Sequence, residues 1–240
     1  VSVQLDEIGI SDHFSVAPQG LVVDWSMPLD SVQQYLAEMR EAAASSQIPL
    51  RVGLEVDYFP ETVDEIRRRL APLELDFVIG SVHYADLFPI DESADLYAPL
   101  SEEELNAVWR RYWHLIAEMA ETGLYDWVGH IDLPKKFGFR PTESIQQAVE
   151  HALEAVKSAD MAIEINTAGW SLPAAEAYPS TEILSMAFRM GIPLLINADA
   201  HRAEHLDKHF ARAVELARSA GYTELVRFCG RRRSVVPLPA

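Results

Sequence analysis

Histidines and carboxylates recur in this sequence at one kind of place, the end of a short apolar run. Ser11, Asp12 and His13 follow Glu7–Ile10, and GLEVDYFP (Gly53–Pro60) carries Glu55 and Asp57. Ser81 and His83 close the run Phe77–Gly80, and His130 and Asp132 follow Trp127–Gly129. Glu164, Asn166 and Thr167 end the run from Met161, while Asn197, Asp199 and His201 follow Leu194–Ile196. Imidazole and carboxylate without thiolate are ligand types for Zn, Mn or Fe(II). A lone His after a strand is ordinarily a solvated loop residue. Four histidines with Glu55 and Asp199, all placed alike, predict a metal site. The spacing of His201, His205 and His209 also suits a helical metal face. Their charged context instead marks His205 and His209 as exposed, and His114 and His151 fall within helical stripes.

Short apolar runs alternate with helical stretches, so the elements that must position these residues are strands of a parallel sheet. Strands are predicted at Glu7–Ile10, Leu50–Val56, Phe77–Gly80, Trp127–Gly129, Met161–Ile165, Leu194–Ile196 and Leu225–Phe228. Ser31, Thr62 and Ser101 each begin a capping-box pattern, and further helices are expected near 143–157, 181–190 and 210–220. In a barrel of parallel strands the C-terminal ends converge on one mouth, where active sites form. The irregular stretches 15–30 and 84–99 follow strands and could wall a pocket. No glycine-rich phosphate loop follows any strand, and neither Ser11 nor Ser81 lies in a nucleophile elbow.

The chain has 240 residues, and 37 acidic against 20 basic side chains give a net charge of −17. An apolar content of 49% suffices for a packed core. Such acidity argues against a nucleic-acid partner, because phosphate-backbone binding needs a basic surface. No run suits a membrane helix or a signal peptide. Cys229 is the single cysteine, which removes disulfides and thiolate clusters and suggests a small buried hydrophobe. The expectation is one cytoplasmic domain over 1–240, with Arg231, Arg232 and Arg233 in a solvated tail.

The motifs IGISDH (Ile8–His13), GLEVDYFP, DFVIGSVHY (Asp76–Tyr84), GHIDLPKKFG (Gly129–Gly138), EINTAG (Glu164–Gly169), YPS (Tyr178–Ser180) and NADAH (Asn197–His201) stand in one order along nearly the whole chain. Together they resemble the PHP (polymerase and histidinol phosphatase) superfamily, and within it the histidinol-phosphate phosphatases. The resemblance implies an α/β fold, a distorted TIM-like (β/α)7 barrel, with two or three divalent ions (Zn, Mn or Fe) at the strand ends. It implies His13, Glu55, His83, His130, Asp199 and His201 as ligands, with Glu55 bridging two ions. Asp12 and Asp132 would fix the adjacent imidazoles. The family's first strand carries a His-x-His pair; this chain begins at the equivalent of the second strand, so it is expected to lack the first βα unit. After EINTAG it reads Trp170, Ser171 and Leu172, where the family has a basic residue.

The activity so implied is hydrolysis of L-histidinol phosphate, a step in histidine biosynthesis, by in-line attack of a metal-bridging hydroxide. Lys135, Lys136 and Arg140 are candidate phosphate contacts. A protonated Asp132 or a metal-bound water would serve as general acid, and Trp25, Phe59 and Phe137 are candidate pocket walls. The competing readings are a phosphoesterase for another small phosphate or nucleotide, and a metal-binding remnant without catalysis.

Overall fold

Period-two alternation along the strands gives the sheet two faces of different chemistry. The computed structural model describes residues 5–239. Its elements are β1 (Ile8–Phe14), α1 (Val32–Ser45), β2 (Leu50–Asp57), α2 (Val63–Leu70), β3 (Phe77–Ser81), β4 (Tyr84–Ala85), β5 (Phe88–Pro89), α3 (Ala94–Tyr97) and α4 (Glu102–Glu121). They continue with β6 (Trp127–Val128), α5 (Gln146–Ser158), β7 (Ala162–Asn166), α6 (Thr181–Met190), β8 (Leu194–Asn197), α7 (Phe210–Ala220), β9 (Glu224–Cys229) and β10 (Arg232–Pro237). Six strands pair in parallel in the order β1-β2-β3-β6-β7-β8 and curl into half a barrel.

One face of that sheet presents Val52, Leu54, Val56, Val78, Val128, Ile163 and Ile165 to the helices. There they join Leu36, Ile66, Trp113, Ile116, Leu153 and Leu184 in the main core. The inner face is set by the register His13–Glu55, Glu55–Ile79, Ile79–Trp127 and Trp127–Ala162. Its lower part is an apolar plug of Phe77, Ile79, Trp127 and Ala162, closed by Val226 and Phe228. Phe77 lies across Gly53, where a Cβ would stand 2.2 Å from its ring, so only glycine lets the plug approach β2. Toward the C-terminal ends the same face turns polar with Glu55, Asp57, Ser81, Glu164 and Asn166, all buried.

Several local expectations change. The strand expected at Leu225–Phe228 is β9, and it pairs antiparallel with β10 instead of joining the parallel sheet. Gly230 (φ +55°) and Arg231 (φ +62°) form a two-residue connection with both residues left-handed, the signature of a tight hairpin. The basic run is therefore no free tail: Arg231 pairs with Asp126 at 2.6 Å and Arg233 with Asp160 at 2.8 Å. Cys229 is exposed, not buried. The Ser101 capping box is formed, whereas Ser31 and Thr62 make no cap hydrogen bond. A 3-10 turn leads into each helix (Leu29–Ser31 and Pro60–Thr62), so both residues stand at the N-cap with ψ near 0° instead of the extended backbone that aims a hydroxyl at the first turn.

Candidate metal centre

Two strands, β2 and β3, with the tight turn after β6, bring three donor atoms together. His130 Nε2 lies 3.1 Å from His83 Nε2 and 3.0 Å from Glu55 Oε1, and His83 Nε2 lies 3.6 Å from the same oxygen. Metal–donor bonds of roughly 2.0–2.2 Å place neighbouring donors about 3–3.5 Å apart around one ion. The triangle of Glu55, His83 and His130 has that size, and all three residues are buried. Ser81 donates to Glu55 Oε1 at 2.7 Å. The second carboxylate oxygen faces another histidine, His13 Nδ1, at 3.7 Å.

The donor set also fits an ion electrostatically. Burial acts to raise the Glu55 carboxyl, yet the hydrogen bond and charge of His130, with His13 and His83, hold it far below the ordinary carboxylate range. Burial acts to lower the His83 imidazole, but the charge and hydrogen bond of Asp57 push it up to about 10. His130 is raised too, against burial, by its bond to Glu55. Glu55 thus draws positive charge to this point, whether carried by protons or by a cation. His13 Nδ1 and His130 Nδ1 are buried and have no hydrogen-bond partner among the described residues. An unpartnered buried polar atom costs about 1–3 kcal/mol, so each nitrogen has capacity for a ligand.

A cleft of about 140 Å³ opens on this triangle and is also lined by His13, Asp199, His201, Asp91, Lys136 and Tyr178. All six expected ligands therefore share one cavity. His13, Glu55, His83 and His130 form its base, while Asp199 accepts from Asn166 at 3.1 Å and His201 stands exposed at the rim. Trp25 meets His13 and His83 edge-on, with ring centroids at 4.8 and 5.1 Å. Phe59 and Phe137 pack on Tyr84 and Tyr97 instead of lining the cleft. His205 and His209 are half-buried, not exposed, and His209 meets Ser171 at 3.2 Å.

The two carboxylates expected to orient imidazoles do not do so. Strand β1 runs on to Phe14, and alternation then turns Asp12 to the face opposite His13, where it is exposed. Its one hydrogen bond to His13 is to the backbone N–H, at 2.8 Å. Asp132 adopts a left-handed backbone (φ +84°) and accepts from Lys135 Nζ at 2.7 Å and Ser180 N at 3.1 Å, away from the His130 ring. Burial pushes its carboxyl up against the adjacent ammonium. The orienting carboxylate is Asp57, whose Oδ1 holds His83 Nδ1 at 2.6 Å and whose other oxygen accepts from Ser15. Fixing Nδ1–H leaves the His83 Nε2 lone pair facing the cleft.

Of the three candidate phosphate cations, one reaches the cleft. Lys135 is 0% exposed and spent on Asp132 and Glu176, and Arg140 pairs with Glu176 at 3.0 Å. Lys136 lines the cleft and donates to the Asp91 carboxylate at 3.2 Å. Asp57, Asp91 and Glu164 were not among the expected site residues. Asp57 and Glu164 lie on the inward period of β2 and β7, two residues from Glu55 and Asn166, a spacing that marks them as sharing that face. Asp91 lies in a loop and carries no such signal.

Residues 1–168 match the family model described as PHP domain. The chain belongs to the PHP domain family. A probable histidinol-phosphatase of Deinococcus radiodurans is 34% identical over 219 residues, which cover 90% of this chain and 83% of the relative. The histidinol-phosphatase of Bacillus subtilis is 30% identical over 199 residues, 75% of this chain and 74% of its own. The crystal structure of Lactococcus lactis HisK, complexed with zinc, L-histidinol and phosphate, has the same fold. Its TM-score is 0.73 at 24% identity, covering 96% of this chain and 88% of that one. Within the family, this chain stands with the histidinol-phosphatases.

Proposed function

We propose that the chain is a metal-dependent phosphomonoesterase that hydrolyses L-histidinol phosphate to L-histidinol and phosphate. The convergence of His83 Nε2, His130 Nε2 and Glu55 Oε1 at the base of one cleft supports this reading most directly. The relatives named for that activity lend it the substrate.

Glu55, His83 and His130 would hold one divalent ion, with His13, Asp199 and His201 extending the centre toward a second. Glu55 would serve both ions, because its two oxygens face different histidines. A bound divalent ion supplies positive charge to the non-bridging phosphate oxygens and lowers the pKa of water enough to yield a nucleophile at neutral pH. Asp57 keeps His83 in the tautomer that offers Nε2. Lys136 exchanges the Asp91 carboxylate for a phosphate oxygen, and Trp25 shields one side of the ligand rings from water. Zn, Mn and Fe all suit such a donor set, and the cytoplasm is the proposed compartment. No helix among the described residues is long and apolar enough to cross a membrane.

Phosphate release from histidinol phosphate should vanish with EDTA and return with Zn or Mn. Glu55→Gln should reduce kcat at least 100-fold. Turnover of nucleotide or sugar phosphates above that of histidinol phosphate would favour the other-substrate reading. No phosphate release from any monoester by the metal-loaded protein would sink the assignment.

A further inference from the structure

One buried carboxylate ties together the ends of three strands and is unused in the mechanism above. Glu164, 1% exposed on β7, accepts four hydrogen bonds. On Oε1 they come from the His130 backbone N–H at 2.8 Å and Asn166 Nδ2 at 2.9 Å. On Oε2 they come from Trp127 Nε1 and Asn197 Nδ2, both at 2.9 Å. The amide of Asn166 divides its two donor hydrogens between Glu164 and Asp199 Oδ2, the latter at 3.1 Å. Asn197 in turn accepts from the Asp199 backbone N–H at 3.0 Å. Oε1 is therefore the node from which one arm runs to His130 and another, through Asn166, to Asp199.

Both ends of this network need holding. His130 has φ +27° and Asp199 φ +52°, left-handed values uncommon outside glycine. A hydrogen bond onto a buried carboxylate is charge-assisted and about twice as strong as a neutral one. We propose that Glu164 is a positioning residue that sets the separation of the two halves of the metal centre, holding His130 by its backbone and Asp199 through Asn166. This rests on the reading of His130 and Asp199 as ligands. Its consequence is that metal affinity depends on a side chain that is not itself a ligand, and groups in such positions typically contribute 10–100-fold.

The test is Zn²⁺ binding by calorimetry with elemental analysis, on variants shown to be folded by circular dichroism and thermal melting. Glu164→Gln offers two donors and one acceptor oxygen to four donors, so it should weaken Zn²⁺ binding at least about 10-fold. Asn166→Ala cuts the arm to the Asp199 carboxylate and leaves the Asn197 bond to its backbone; it should weaken the ion on that side while sparing the one held by Glu55 and His83. Trp127→Phe removes a donor from Oε2 and leaves both arms intact. It should lower stability while keeping affinity within about twofold, a split that a merely structural network would not produce. Equal losses of affinity in Trp127→Phe and Glu164→Gln would overturn the proposal. If Glu164→Gln does not fold, Asn166→Ala decides alone, and wild-type stoichiometry and affinity there overturn it. His130→Ala separates the proposal from its premise. Unchanged binding in that variant removes the ligand assignment itself, whereas loss there with wild-type binding in Glu164→Gln and Asn166→Ala removes only the role of Glu164.

Discussion

Three cationic side chains crowd one short stretch, and their partners determine what each does. Lys135 is enclosed with Asp132 on one side and Glu176 on the other, and its ammonium also lies 5.5 Å from the Tyr178 ring centre. Removing one partner of a buried pair leaves the other charge uncompensated, at about 3–5 kcal/mol. Lys135→Met should therefore lower the melting temperature markedly with KM nearly unchanged. Lys136→Met should do the reverse, raising KM for a phosphomonoester about tenfold with little change in stability. Steady-state kinetics and thermal melts on the same two proteins check both, and a KM effect at Lys135 equal to that at Lys136 would contradict the assignment. Sequence adjacency could not separate these lysines, because which one is buried depends on Glu176 and Asp91, far away in the chain. The candidate ligands are more legible. Histidine and carboxylate at successive strand ends single out His13, Glu55, His83, His130, Asp199 and His201 as candidates without any contact information, and the structure lines one cleft with all six. The orienting carboxylate is Asp57 and neither Asp12 nor Asp132, since β1 continues through the motif and alternation reverses Asp12.

At the scale of elements, the plug that closes the inner face draws on both the parallel sheet and the β9–β10 hairpin. Trp127 sits between Phe77 and Phe228, with ring centroids at 4.8 and 5.3 Å. The hairpin is pinned beside it by the Gly230 and Arg231 backbone N–H groups, which donate to Asp76 at 2.9 Å each. Truncating a buried Phe to Ala costs about 3–5 kcal/mol through lost burial and the cavity left behind. For a domain of this size each kcal/mol moves Tm by roughly 2–4 °C, so Phe228→Ala should melt at least 6 °C lower. Metal stoichiometry should be unchanged, because Trp127 keeps its contact with Phe77 and its bond to Glu164. Thermal melting with elemental analysis tests this, and loss of metal would show that the hairpin supports the site directly. Most sheet strands and helices were readable from apolar period alone. The hairpin was not, because Leu225–Phe228 has the same apolar character as a parallel strand, and only the left-handed pair at its turn decides the partner.

On the scale of the whole molecule, the proposed ligands lie far apart in the chain and close together in space. His13 is on β1, Glu55 on β2, His83 just past β3, His130 after β6, and Asp199 and His201 after β8. An unfolded chain has no such site, so the free energy of metal binding adds to the stability of the folded state. The acidic composition works in the same direction. With a net charge of −17 the chain repels itself, and Glu55 and Asp199 at the base and wall of one cleft add to that locally. Divalent ions bound there would neutralise part of this charge at the point where five strands converge. A single ion at about 1,000 times its dissociation constant contributes about 4 kcal/mol. At roughly 2–4 °C per kcal/mol, adding Zn²⁺ or Mn²⁺ to the stripped protein should raise Tm by about 8–16 °C. The shift should be cooperative across the fold, since the ligands span the sheet from β1 to β8. Scanning calorimetry of EDTA-treated and reloaded protein measures it. Equal melting in both states would mean that these six residues hold no ion in the folded chain. A shift that survives His130→Ala and Glu55→Gln would place the ion elsewhere.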